Sequence, residues 1–213
     1  MYPNTPDRLV LKTDVDGVLT DIEKTFFNCL EELSDESLQE YEECEGLELA
    51  DRVCGTTNLA YKERRDLLVP REDGISVKID DIRKALEYKT GKRIEIVIST
   101  SREGINREEL IESLGSMGIT NYDDVKIEHD KWRDCDILVE DNPHQIKKFL
   151  EDGDGNKAYH VKNDCSEMVY GDRQDIYQTG RCDEIYSFSD IVEDIYSKSS
   201  LTEDTVEEVP AKA

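Results

Sequence analysis

The sequence predicts an α/β fold: a parallel sheet with helices on both faces and a small α-helical cap inserted after the first strand. Three observations carry this reading. Short apolar runs end repeatedly in polar residues, at residues 9–11 before Asp14-Val15-Asp16-Gly17, at 93–99 before Thr100-Ser101, and at 136–139 before Glu140-Asp141. Segments of helical period separate these runs, and strands alternating with helices pair in parallel. Between residues 22 and 78 the period stays helical, which marks an insert directly behind the first strand.

In chain order, residues 1–7 form a lead-in and 8–14 the first strand. Ile22, Phe26, Leu30 and Leu33 share one helical face. Ser34 reads as the N-cap of a second helix bearing Leu38 and Tyr41. Leu47, Ala50 and Val53 define a third, broken at Gly55-Thr56-Thr57-Asn58, and residues 59–68 a fourth, closed by Pro70 and the Asp73-Gly74 turn. Such an insert reads as a lid over the strand end; the alternative is helices that simply share one core. Ile79, Ile82, Ala85 and Leu86 mark a helix stopped by Gly91, and residues 93–99 the next strand. Leu110, Ile111, Leu114 and Met117 give a helix ended by Gly118, followed by a short strand at 125–127. Residues 136–139 form a strand, and Asn142-Pro143 supplies an N-cap and first helical position for Ile146, Phe149 and Leu150. Strands follow at 157–161 and 185–187, with a loop over 162–183 and a last helix through Ile195, capped by Ser187 or Ser189. The expected division is an α/β core of residues 1–21 and 79–198, a cap of 22–78, and a disordered acidic tail of 199–213.

With 51 acidic against 27 basic residues the chain carries a formal charge of −24. Such a surface repels nucleic acid and anionic membranes, so neither is expected as a partner. It also makes a saline host one expectation, against which abundant lysine and isoleucine argue. No apolar run has the length of a membrane span, and the first residues lack a signal peptide's basic and apolar regions. A soluble, cytoplasmic protein is expected. The six cysteines form no CxxC pair, which argues against a zinc site and a disulfide scaffold.

Chemistry concentrates at the strand ends. Asp14 and Asp16 are two carboxylates one residue apart, and Gly17 turns the chain away at once. Ligands of open α/β sheets bind at the carboxyl ends of strands, and two close carboxylates stay ionised near neutral pH most readily beside a metal ion. The plain alternative is a polar turn. Lys131 lies just before the acidic strand end, whereas Lys126, its competitor, sits within a strand. Tyr61-Lys62-Glu63-Arg64-Arg65 is a dense basic cluster, with Lys62 and Arg65 as candidate substrate contacts and Phe26, Phe27 or Tyr61 as stacking surfaces; a solvated helix face over a packed aromatic core explains it equally. Asp152-Gly153-Asp154-Gly155-Asn156 departs from the EF-hand pattern at Lys157 and Asn163 and reads as a polar turn. His129, His144 and His160 show no ligand spacing.

The ordered set Asp14/Asp16, Thr100/Ser101, Lys131 and Glu140/Asp141 resembles the four motifs of the haloacid dehalogenase (HAD) superfamily, over residues 8–197. The Asp14–Asp21 stretch, Asp130-Lys131 shortly before 136–143, and the 186–192 ending are similar to its 5'-nucleotidase (deoxyribonucleotidase-like) branch. Two features depart from that branch: Glu140 stands where an aspartate is usual, and the insert shows no matching cap pattern. The resemblance implies a HAD-like Rossmannoid sheet and a Mg²⁺-dependent phosphomonoester hydrolase acting on a small phosphorylated metabolite, a (deoxy)nucleotide or a sugar phosphate; a regulatory protein on the same fold is the rival of another class. It implies Asp14 as nucleophile and Asp16 as proton donor and acceptor. Thr100 and Ser101 would face the substrate, and Lys131 the transferring group; Arg102, next in the chain, is a candidate substrate contact, with a surface salt bridge as the plainer reading. Mg²⁺ would be held by Asp14, the Asp16 carbonyl, Glu140 and Asp141.

Overall fold

A computed structural model of the chain describes residues 7–33, 46–153, 156–171 and 173–197. Ser34, Leu38, Tyr41, Asp154, Gly155 and the tail 199–213 lie outside the described residues. Six parallel strands form one sheet in the order β3-β2-β1-β4-β5-β6. They are β1 (Arg8–Thr13), β2 (Arg93–Thr100), β3 (Asp124–Ile127), β4 (Ile137–Glu140), β5 (Lys157–Val161) and β6 (Cys182–Ile185). The helices are α1 (Ile22–Leu33), α2 (Gly46–Lys62), α3 (Ile75–Thr90), α4 (Arg107–Ser116), α5 (Pro143–Asp152), α6 (Asp164–Tyr170) and α7 (Phe188–Ser197), with 3₁₀ turns at Arg65–Leu67 and Gln174–Thr179.

β-branched runs buried on both sides of the sheet explain the strands. Ile94, Ile96 and Ile98 of β2 point into the larger core with Leu11, Val139 and the apolar faces of α3, α4 and α7. On the opposite face Leu138 and Ala158 pack beneath Ile146, Phe149 and Leu150 of α5. Nearer β2 that face is polar: the fully buried Lys12 ammonium is satisfied by Glu128 at 2.7 Å and the Arg133 carbonyl at 2.6 Å, and Glu128 also accepts from Ser99. Asn142 caps α5 by accepting from the His144 N–H, with Pro143 at the first position as the sequence predicts. Asn106 and Glu109 close a reciprocal capping box at α4.

Four expectations are corrected. The predicted break at Gly55–Asn58 is absent: α2 runs through it, with Thr57 buried and its hydroxyl donating back to the Val53 carbonyl at 2.8 Å. The core helix α3 begins at Ile75, not Ile79, and Ile75 is buried among the sheet-covering residues. The predicted loop over 162–183 contains α6, capped by Asn163, and a 3₁₀ turn. The last strand lies three residues earlier than predicted, because Asp190 takes the Tyr186 and Ser187 N–H groups out of the ladder to cap α7.

The insert has two attachments. Ile22, Phe26, Leu30 and Val53 form a small cluster of their own between α1 and α2. Cys29, Ala60, Tyr61, Leu67 and Leu68 instead belong to the core beneath the sheet. Among the described residues no helix is long and apolar enough to cross a membrane, and Cys29, Cys54, Cys135 and Cys182 are free thiols.

Continuity of α2 has a measurable consequence. A Cβ placed on Gly55 meets nothing within 4 Å, so Gly55→Ala should raise stability by about 0.5–1 kcal/mol in urea unfolding. A loss of stability would indicate that the helix breaks there.

Candidate active site at the carboxyl edge of the sheet

Strand register brings the polar residues together. β1 is central, with Thr13 opposite Ile98 of β2 on one side and Val139 of β4 on the other. The Asp14 N–H donates to the Val139 carbonyl at 3.0 Å, which sets Asp14 beside Glu140 and Asp141. A turn follows at once: the Val15 carbonyl accepts from the Leu19 and Thr20 N–H groups, both at 2.9 Å. Gly17 has φ +76°, and a Cβ there would lie 2.2 Å from Asp141 Oδ2. Only glycine permits both the backbone angle and the close approach.

Asp14, Glu140 and Asp141 each offer a carboxylate oxygen, all within 4.8 Å of one another. Lys131 reaches into this cluster, its Nζ 2.7 Å from Asp14 Oδ1 and 2.8 Å from Glu140 Oε2. Burial would lower the lysine's pKa, but the charges of Asp14 and Glu140 outweigh it and hold the ammonium protonated. One cation cannot balance three buried carboxylates. Burial, then the Glu140 charge, pushes the Asp14 carboxyl well above the usual range. Burial and the Asp14 charge push Asp141 up to about 6, and burial raises Glu140 as well. Asp14 Oδ1 and Glu140 Oε2 share the single Lys131 ammonium. An oxygen-only donor set with excess negative charge fits a hard divalent cation.

The side chain of Asp16 points elsewhere. Arg102 holds it from both nitrogens, Nε to Oδ2 at 3.0 Å and Nη2 to Oδ1 at 2.7 Å, and the Tyr61 hydroxyl donates to Oδ1 at 2.8 Å. Arg102 Nη1 is shared among the Cys54 carbonyl, Thr57 Oγ1 and Asn58 Oδ1 of α2. Its guanidinium carbon also lies 4.3 Å from the Tyr61 ring centre. Burial raises the Asp16 pKa, yet the Arg102 charge and the hydrogen bonds from Arg102 and Tyr61 outweigh it, leaving Asp16 below the usual range. A surface salt bridge is what a lone arginine predicts; this one is 4% exposed. Tyr61 is likewise buried, under the arginine, with no face open for a base.

These groups line a cleft of about 590 Å³ between the sheet edge, α2 and α6. Thr100 and Ser101 open onto it. Thr100 is buried and its hydroxyl accepts from the Arg102 N–H at 3.1 Å, so its own proton has no partner among the described residues. Lys62 and Arg65 do not line the cleft. With Tyr61 turned inward, Arg65 lies against α4 and pairs with Glu112 at 2.5 Å. Lys126 does not line it either.

Sequence reasoning passed over two supports. Asn163 Nδ2 donates to Asp141 Oδ2 at 3.0 Å while its Oδ1 caps α6. Its place past β5 is the signal that finds it, since the strand-end argument applied to residues 157–161 leads there. Arg71 ties the Gly17 carbonyl at 2.8 Å to the Lys162 carbonyl at 2.7 Å; nothing in its sequence context marks it.

No protein-family model matches the chain, and no curated protein does. Solved structures do. A haloacid dehalogenase-like hydrolase from Streptococcus pneumoniae aligns at 13% identity with TM-score 0.50, over 88% of this chain and 98% of its own. The fold is HAD-like. YfnB from Bacillus subtilis, which carries a HAD-hydrolase designation and was solved with magnesium, aligns at 13% identity and TM-score 0.49, over 88% and 98% of the two chains. L-2-haloacid dehalogenase from Xanthobacter autotrophicus aligns at 15% and 0.43, with the same coverage.

The raised Asp141 pKa fixes the sign of a pH effect. A carboxyl that titrates at about 6 when folded and about 4 when unfolded binds more protons in the folded state between those values. Its contribution to stability therefore falls as pH rises through that window, and a cation binding the ionised form reverses the loss. The gain in Tm from added Mg²⁺ should be small at about pH 5 and grow as pH rises through about 6 and beyond, since the Asp14 carboxyl is also raised well above its ordinary range. A gain independent of pH across that range would contradict the cluster's role.

Proposed function

We propose that this protein is a Mg²⁺-dependent phosphomonoester hydrolase that works through an aspartyl-phosphate. The observation that carries the reading is the meeting of Asp14, Glu140, Asp141 and Lys131 at one strand edge beneath an open cleft. Asp14, Glu140 and Asp141, with the Asp16 backbone carbonyl, would hold the ion. Bound there, it neutralises nucleophile and phosphate and allows the two anions to approach.

The protein's own groups supply the rest. An Asp14 carboxylate oxygen attacks phosphorus, a P–O bond forms, and the bond to the leaving oxygen breaks. Lys131, held by Glu140, faces the charge that develops on the phosphoryl oxygens, and the Thr100 hydroxyl donates to one of them. Water then attacks the phosphoryl-aspartate, releasing inorganic phosphate and restoring Asp14. Asp16 is to protonate the leaving oxygen and then take a proton from that water, and both transfers require its contact with Arg102 and Tyr61 to open, because the contact that holds it ionised also makes it a weak base.

The proposed substrate is a small phosphorylated metabolite. The resemblance in residues 14–21, 130–143 and 186–192 puts a (deoxy)nucleoside 5'-monophosphate first and a sugar phosphate second. A regulatory protein without turnover is the second reading, favoured by one observation, the occupation of Asp16 by Arg102.

Phosphate release from p-nitrophenyl phosphate and a monophosphate panel, with Mg²⁺, decides between the readings. Asp14→Asn should lower kcat by at least about 10³-fold and Lys131→Met by about 10²–10³-fold, both variants remaining folded. Equal activity in wild type and Asp14→Asn would show that Asp14 is not the nucleophile.

A further inference from the structure

Beyond the three carboxylates that fit a cation, the cleft holds three more: Asp16, Asp51 of α2, and Glu103 just past β2. Asp51 and Glu103 are exposed and form no ion pair with a described residue. Two lysine or arginine side chains oppose these six among the described residues, Arg102 and Lys131, and both are already committed. Lys131 lies between Asp14 and Glu140, and Arg102 grips Asp16 while tied to α2. Of the cationic cluster that the sequence offers for a second anionic group, Arg65 pairs with Glu112, and Lys62 is outside the lining, its ammonium beside Gly104 next to Glu103. A bound divalent ion and one phosphate leave the walls still negative. Any further anion on the substrate therefore meets carboxylates with no uncommitted lysine or arginine in the lining, in a cleft where low-dielectric walls strengthen the repulsion.

We infer that the site selects phosphomonoesters whose leaving alcohol carries no negative charge, neutral or cationic, and rejects bisphosphates and phosphorylated acids. This rests on the hydrolase reading and deepens it. Rejection is built from Asp51 and Glu103, which lie on the insert and on the loop facing it rather than on the catalytic groups. Specificity here is a repulsive element, set against the wrong substrate rather than for the right one.

The test uses substrate pairs that differ by one anionic group on a shared scaffold: glycerol 3-phosphate with 3-phosphoglycerate, phosphoethanolamine with phosphoserine, and fructose 6-phosphate with fructose 1,6-bisphosphate. The wild-type protein with Mg²⁺ should favour the first member of each pair by about tenfold or more in kcat/KM. The preference should shrink in Asp51→Asn/Glu103→Gln and with added salt, with p-nitrophenyl phosphate turnover unchanged in that variant. Equal or reversed preference, or a preference that survives both substitutions, overturns the inference. Calorimetric binding of the same pairs to Asp14→Asn gives a readout that needs no turnover. A charge preference in binding without hydrolysis by the wild type sinks the hydrolase reading and leaves the selectivity standing. Hydrolysis without a charge preference does the reverse.

Discussion

Lys131 is the interaction on which the carboxyl edge depends. Three carboxylates meet there because β1 and β4 are neighbours in register, and the ends of neighbouring parallel strands lie side by side. Backbone pairing thus forces together groups that repel. The lysine relieves part of the repulsion by standing within 3 Å of two of them. Removing one partner from a buried ion pair costs about 3–5 kcal/mol, because the other is left uncompensated. The remaining excess charge appears in the raised pKa values of all three acids. A fold that keeps such a cluster carries a local instability, and a divalent cation is the simplest way to turn it into a binding site.

A second ion pair answers a different constraint. Asp16 is two residues beyond Asp14 but its side chain is held by Arg102, so burial leaves one acid of the first motif raised while the other is lowered. Arg102 also connects the loop after β2 to Cys54, Thr57 and Asn58, which makes α2 part of the site's wall. The same contacts help explain why α2 stays helical through Gly55: its buried edge supplies acceptors to a guanidinium that has no water to turn to. Movement of α2 and the state of Asp16 are therefore linked through one side chain.

The strand ends were legible in the sequence because burial on both faces gives apolar runs with sharp polar stops, and register follows from strand order. Asp14, Thr100, Lys131, Glu140 and Asp141 all fall at such stops and all line the cleft. The role of Arg102 was not legible. Its partners come from residues 16, 54, 57, 58 and 61, and only tertiary packing assembles them. For the basic cluster the sequence left two readings open; packing turns Tyr61 under Arg102 and sets Arg65, in the turn after α2, against Glu112. Periodicity also failed at Gly55 and between 162 and 183. In the first place tertiary contacts of the buried edge of α2 with Arg102 override a weak helix former, and in the second the helix is only seven residues long and rests on its Asn163 cap.

The central claim is that one hard cation belongs between Asp14 and Asp141. Anomalous diffraction from crystals soaked in Mn²⁺, a heavier stand-in for Mg²⁺, tests it directly. A single peak at about 2.0–2.3 Å from carboxylate oxygens of Asp14 and Asp141 is the expected result, with Lys131 still on Glu140 and the peak lost in Asp14→Ala/Asp141→Ala. No peak at that edge, with Lys131 as the only counter-charge at saturating Mn²⁺, would contradict it.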